Sequence, residues 1–154
     1  MLGSRTRIYT PEGYVRIERL KVNDEVISWD KHRIRIVKIQ QVIKHNYEMK
    51  DLYKFHLEHA DKKVLVSKDH EFWLGTQHMS IADNLKYKEK VLGIDSKKVK
   101  IIGKEAVINL GQVKKFEKSR EGHFVMYELK LHDKDQMYFF SSEKVATFSY
   151  GSHQ

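Results

Sequence analysis

Hydrophobic and polar residues alternate in short runs along most of this chain. Over residues 51–58, Tyr53, Phe55 and Leu57 stand against Lys54, His56 and Glu58, the period of a half-buried strand. Over 124–131, Tyr127, Leu129 and Leu131 share one face in the same way. The same reading predicts strands at 6–10, 14–20, 25–29, 33–43, 64–66, 90–92, 99–102, 106–110, 113–116, 137–140 and 144–150. In 14–20 the inward residues are Val15, Ile17 and Leu20. The long strand 33–43 puts Ile34 and Ile36 on one face and loses phase at 37–39, which predicts a bulge. Turn residues separate these runs: Pro11-Glu12-Gly13, Lys21-Val22-Asn23-Asp24, Asp30-Lys31-His32, Ala60-Asp61-Lys62 and 133–136. The turn at 60–62 makes 52–66 a hairpin. Ser80-Ile81-Ala82-Asp83 predicts a short helix ending near 85–86, with Ser80 as cap and Asp83 reaching back. Residues 117–122, EKSREG, form a polar excursion. No repeat, low-complexity tract or linker interrupts the pattern. The expectation is an all-β, curled architecture with one or two short helices.

Composition narrows this picture. At 154 residues, 40% hydrophobic and 11% aromatic, the chain is expected to form one domain spanning 1–154 with a real core. With no cysteine there is no disulfide, thiolate metal site or cysteine nucleophile. No apolar run approaches the ~20 residues of a membrane span, and the N-terminus does not read as a signal peptide, so no membrane partner is expected. The net charge of +8 permits nucleic-acid contact. The lysines, however, are scattered through turns, and nucleic acid is not the expected partner.

The candidate chemistry lies in Lys63–Leu74, KVLVSKDHEFWL. An apolar strand enters Ser67-Lys68-Asp69-His70, and Phe72-Trp73 follow. If this turn folds back, the Ser67 hydroxyl and the His70 imidazole address one peptide bond. The hydroxyl or the turn's N–H groups would hold an oxyanion, and the imidazole would shuttle a proton. A histidine in a turn after a strand is also an ordinary structural feature. His56-x-x-His59 with His70 or His78 lacks cysteine and a fixed geometry, so neither a metal nor a cofactor is expected. Trp29, Trp73 and the tyrosines read as core and rim.

Four patches, in order, resemble the inteins, the self-splicing domains of the Hint class. In the opening MLGSRTRIYTPEGYVRIERLKVNDEVISWD, the residues Leu2, Thr6, Ile8, Thr10, Gly13, Ile17-Glu18, Asp24 and Val26 fit the family's register, with Asn23 where Gly is usual. Ser67-Lys68-Asp69-His70 is similar to the family's Thr-x-x-His block, followed by Ala82-Asp83-Asn84-Leu85 and Val91. Tyr127-Glu128-Leu129-Lys130-Leu131 and Met137-Tyr138-Phe139-Phe140 resemble its Tyr-Asp-Leu-x-Val strand and later His-x-Phe. Met137 stands where the histidine is usual. His153-Gln154 matches the family's final His and cyclising amide.

The resemblance implies a Hint-type horseshoe with pseudo-two-fold symmetry. Its first and last strands would run side by side and bring Met1, His70, His153 and Gln154 together. It implies single-turnover autoprocessing: an acyl shift at residue 1, transesterification to a Ser, Thr or Cys following Gln154, cyclisation of Gln154 assisted by His153, and ligation of the flanking exteins. His70 would protonate the departing amine and Ser67 would hold the distorted peptide. Thr6 and Asp69 would be secondary site residues. Residues 86–122 are the expected split or insertion region, so a complementary split half is a conceivable partner. No nuclease-sized insert is present. Localisation would follow the host, with the cytoplasm as expectation.

Two departures matter. Met1 has a thioether that cannot carry an acyl group, so the first step is expected to fail in this chain. Either Met1 replaces a native Ser or Cys, or splicing starts differently. Ser4 breaks the register and reads as a loop residue. The missing third-patch histidine leaves Asp133, Asp135 or His132 as stand-ins, each more readily read as a turn residue. Two alternatives stay open: a basic β-barrel that binds nucleic acid, and a Hint domain that only cleaves its upstream neighbour.

Overall fold

The computed structural model describes residues 1–30, 32–75, 78–133 and 136–151. Among the described residues there are fourteen strands: β1 (Leu2–Gly3), β2 (Arg7–Thr10), β3 (Gly13–Arg16), β4 (Glu25–Trp29), β5 (Ile34–Tyr47), β6 (Leu52–Leu57), β7 (Val64–Ser67), β8 (Glu71–Gly75), β9 (His78–Ile81), β10 (Lys90–Leu92), β11 (Lys98–Ala106), β12 (Phe124–Leu131), β13 (Met137–Phe140) and β14 (Val145–Phe148). The described helical segments are all single 3₁₀ turns. The largest sheet runs β10-β11-β6-β7-β1-β12-β5-β4, and a second runs β14-β13-β2-β3. The β8–β9 ribbon stands apart from both. The expected all-β architecture with little helix is what the chain forms.

The hairpin at 52–66 closes as its alternation requires, with Leu52 opposite Ser67 and Phe55 opposite Val64. The bulge in the long strand falls at Gln40, where β5 changes pairing register against β12 between Ile39 and Gln41. Upstream of that point β5 pairs with β4. A central core gathers Leu2, Ile8, Ile17, Phe55, Phe72, Tyr138 and Phe140. A second cluster packs Met1, Leu52, Leu65, Phe124 and Met126, and a third packs Trp29, Trp73, Met137 and Phe139.

Several expectations change. Residues 80–86 do not form a capped helix: Ser80 belongs to β9, and Ala82–Asn84 is a 3₁₀ turn with no side-chain cap. Their backbone donors serve elsewhere, as described below. The strand at 14–20 stops at Arg16 and passes into a 3₁₀ turn at Ile17–Arg19. The strand expected at 106–110 is over by Ala106, and 113–116 forms no strand; Asn109 and Gln112 make a reciprocal capping box on a 3₁₀ turn, Leu110–Val113. Ile34 and Ile36 share a face, but that face is solvent: they are 53% and 56% exposed.

The first strand does not run beside the last. β1 is inserted between β7 and β12, with Leu2 opposite both Val66 and Tyr127, while β14 pairs with β13. Insertion requires close approach at Gly3, where a Cβ would stand 2.8 Å from Leu65 Cβ. This short strand fixes the position of residue 1.

Candidate functional site

Extending the β1 register by one residue puts Met1 beside Ser67 on one side and opposite Glu128 on the other. The Ser67 N–H donates to the Met1 carbonyl at 3.1 Å, and the Ser67 hydroxyl also reaches that carbonyl, at 3.4 Å. The Met1 nitrogen donates to Ser67 Oγ at 3.1 Å and lies 2.9 Å from His70 Nδ1. One serine therefore holds residue 1 at both ends of its backbone.

The Ser67–His70 turn does fold back. His70 N–H donates to the Ser67 carbonyl at 3.1 Å. The turn is then clamped from outside: Ala82 N–H donates to the His70 carbonyl, Asp83 N–H to that of Lys68, and Lys68 N–H to that of Asp51. The imidazole is 2% exposed. Phe72 meets it edge-on at a centroid distance of 5.1 Å, and Phe140 at 6.1 Å. On its far side, Nε2 lies 3.4 Å from Thr147 Oγ1, and the Thr147 hydroxyl neighbours that of Tyr138. Tyr138 Oη is itself anchored by the Leu129 N–H at 3.1 Å. A donor on the Met1 nitrogen makes Nδ1 the acceptor, so the proton sits on Nε2 and points to Thr147.

Electrostatics follow from burial. Desolvation, and secondarily the Met1 ammonium, hold the His70 imidazole well below its ordinary pKa of 6.5. Desolvation also lowers the Met1 amine below its usual 8.0, against an opposing pull from Glu128, Asp69 and Glu71. Glu128 is raised above the usual carboxylate value by burial first; the ammonium opposes this, and Asp69 and Glu71 add to it. Tyr47 is pushed up to about 12, by burial first and then by the Asp69 carboxylate. These groups open onto a cleft of about 460 Å³ whose other wall is the chain from Thr147 to Gly151.

The cleft thus brings together Met1, His70 and Asp69 from the sequence reading, with Ser67 just beneath. Thr6 braces the turn after β1, its hydroxyl donating to the Gly3 carbonyl at 2.7 Å. Met137 lies in the tryptophan cluster instead of the cleft. Asp133 is exposed and pairs with Arg35 at 3.8 Å, and His132 is exposed. Ser4 is buried away from His70 and accepts from the Glu117 N–H. Asp135, His153 and Gln154 lie outside the described residues. Among the described residues, no group of three His, Asp or Glu has metal-binding geometry, and no helix is long and apolar enough to cross a membrane. The sequence reading missed Glu128, Tyr138 and Thr147 as site residues. Glu128 had a signal: alternation puts it on the face opposite Tyr127 and Leu129.

No family model and no curated protein matches the sequence. Solved structures do match. The bacterial intein-like domain from Clostridium thermocellum superposes with a TM-score of 0.76 at 18% identity, over 96% of this chain and 97% of that one. The MchDnaB-1 intein gives 0.70 at 13%, over 97% and 100%. A DnaB intein from Synechocystis gives 0.68 at 13%, over 96% and 97%. The chain has the intein fold. Within the intein fold, the cleft described above is formed where β1 inserts between β7 and β12 and the end of β14 closes over residue 1.

Proposed function

We propose that this chain is a single-turnover autoprocessing domain of the intein type, acting on the peptide bond that precedes residue 1. The observation that carries this is the Met1 nitrogen, held 2.9 Å from His70 Nδ1 and 3.1 Å from Ser67 Oγ in a buried setting. In a polypeptide extended upstream, that nitrogen is the amide of the scissile bond. Attack on the upstream carbonyl turns the nitrogen into a departing amine. His70 Nδ1, which is free to accept, would take the proton released by the attacking hydroxyl or thiol and return it to that nitrogen, so that the C–N bond breaks, while Ser67 restrains residue 1. Thr147 fixes the imidazole from behind. Glu128 beside the nitrogen is suited to balance the charge that develops there.

The attacking group must come from position 1 or from outside. Met1 has none, so the acyl shift needs Ser or Cys at this position, and this chain is expected to stall before it. With a nucleophile restored, the acyl group would pass to a Ser, Thr or Cys after Gln154. The Gln154 side-chain amide, assisted by His153, would then close on its own carbonyl and release the domain, and the exteins would rejoin through an amide.

The test is mass spectrometry of a fusion carrying a reporter at each end and Ser after Gln154. Met1, Met1→Ser and Met1→Cys forms would be compared, each with and without His70→Ala. Joined reporters from the Ser or Cys form, abolished by His70→Ala, are expected. Upstream cleavage without joining would restrict the function to that of a cleaving Hint domain. No reaction in any form, even with added thiol, would overturn the proposal.

A further inference from the structure

A second cleft, of about 630 Å³, shares no lining residue with the first. Eight cationic side chains line it against a single carboxylate, Asp61. Arg7 pairs with Asp61, Lys63 pairs with Glu105 at 2.8 Å, and Lys54 donates to the Gln112 carbonyl. Among the described residues, the other five, Arg5, Arg16, Lys62, Lys114 and Lys115, have no ion-pair partner. Two of the guanidinium side chains, Arg7 and Arg16, are directly opposite each other across the β2–β3 ladder. Like charges at such a position oppose the pairing they sit on. Asp61 offsets the charge of Arg7 but leaves that of Arg16 and the four lysine and arginine neighbours uncompensated, and an anion in the cleft would offset these.

We propose that this cleft binds the phosphodiester backbone of single-stranded nucleic acid. A positively charged groove with an aromatic at its wall is the arrangement that tracks a single strand, and Phe116 supplies the aromatic. Phe116 is also the one large apolar side chain in the lining, whereas a peptide partner would need a desolvated apolar centre. The sequence pI of 9.5 is in the range typical of nucleic-acid-binding domains. Although the lysines are scattered along the sequence, the fold collects them here. With contacts to phosphate and to one half-buried aromatic that packs on the second apolar cluster, binding is salt-sensitive and tolerant of sequence.

The experiment is fluorescence anisotropy with a labelled oligothymidylate of about twelve nucleotides, titrated across potassium chloride concentrations. Five unpartnered cations predict that log K falls against log salt with a slope of about −3.5, at ~0.7 per phosphate. The variant Arg16→Gln/Lys62→Gln/Lys114→Gln/Lys115→Gln should be shallower by about 2.8, and the exposed double variant Lys114→Gln/Lys115→Gln by about 1.4. A control matched in charge, Lys86→Gln/Lys88→Gln/Lys90→Gln/Lys98→Gln, should keep the full slope. Equal losses in the groove and control variants would reduce the effect to net charge and overturn the proposal. So would the absence of binding, or displacement of the strand by a glutamate-rich peptide at lower concentration. Processing in the reporter fusion should be unchanged by the groove variants, so the two proposals fail separately.

Discussion

The buried, neutral His70 has a measurable consequence for stability. The folded chain holds the imidazole below its ordinary 6.5, through burial first and the Met1 ammonium second, whereas the unfolded chain protonates it normally. Below pH 6.5 the unfolded state therefore binds more protons, and stability must fall as pH falls. The contribution is complete above 6.5 and is lost progressively toward the depressed folded value. With the folded site still neutral, the loss is about 1.4 kcal/mol at pH 5.5. For a chain of this size, that corresponds to roughly 3–6 °C in Tm. The Met1 amine, lowered from 8.0, and Glu128, raised above its usual value, also titrate, with opposite signs. Comparison with His70→Gln cancels the Glu128 part, which the variant retains. The assay is urea unfolding of the two proteins from pH 5 to 8. The stability difference should be flat above pH 6.5 and should shift against the wild type by about 1.4 kcal/mol per unit below it. A difference that stays flat through pH 5 would refute a neutral, buried His70 and the proton inventory of the cleft with it.

Other substitutions test the surroundings. Met1→Ser empties a site packed against Leu52, Leu65 and Met126, and should cost about 2 kcal/mol or more in urea unfolding even as it restores a nucleophile; Met1→Leu should cost less than about 1.5 kcal/mol. Tyr138→Phe leaves the Leu129 N–H buried without its acceptor, which should cost about 1–3 kcal/mol by the same measurement. Gly93→Ala would set a Cβ 2.3 Å from the Lys144 carbonyl oxygen, which is backbone and cannot rotate away. The expected cost is about 1–3 kcal/mol, with faster hydrogen exchange at the Ile94 N–H that donates to the same carbonyl.

The elements legible in the sequence were those whose residues decide their own structure. The alternation survives over Phe55–Leu57 in β6 and Tyr127–Leu131 in β12, whereas Leu52, Phe124 and Met126 are buried on the opposite faces, in the second cluster. The Ser67–His70 turn was legible because its working parts are local. What failed depended on partners distant in sequence. Ser80 did not cap a helix because the N–H groups of Ala82 and Asp83 are taken by the carbonyls of His70 and Lys68. β1 is two residues long and carries no pattern of its own; β7 and β12 create it. Thr147 becomes the partner of His70 only because β14 folds over β8, contact that no local spacing encodes.

Met137 shows how small the margin is. The resemblance set Met137 at the position of the missing histidine, and the strand assignment there, Met137–Phe140, was right. In β13, however, Met137 and Phe139 face the tryptophan cluster, while Tyr138 and Phe140 face the core that holds His70. Side chains on a strand change face at every residue, so a motif placed one position off selects the wrong side of the sheet. Tyr138, one step along, meets the Thr147 hydroxyl, and Phe140 packs on the imidazole itself. The site therefore holds a phenol and an aromatic ring on the strand where a second imidazole was sought. In the proposed reaction, proton transfer at residue 1 would fall to His70, and the strand's own contribution would be to hold that ring in place.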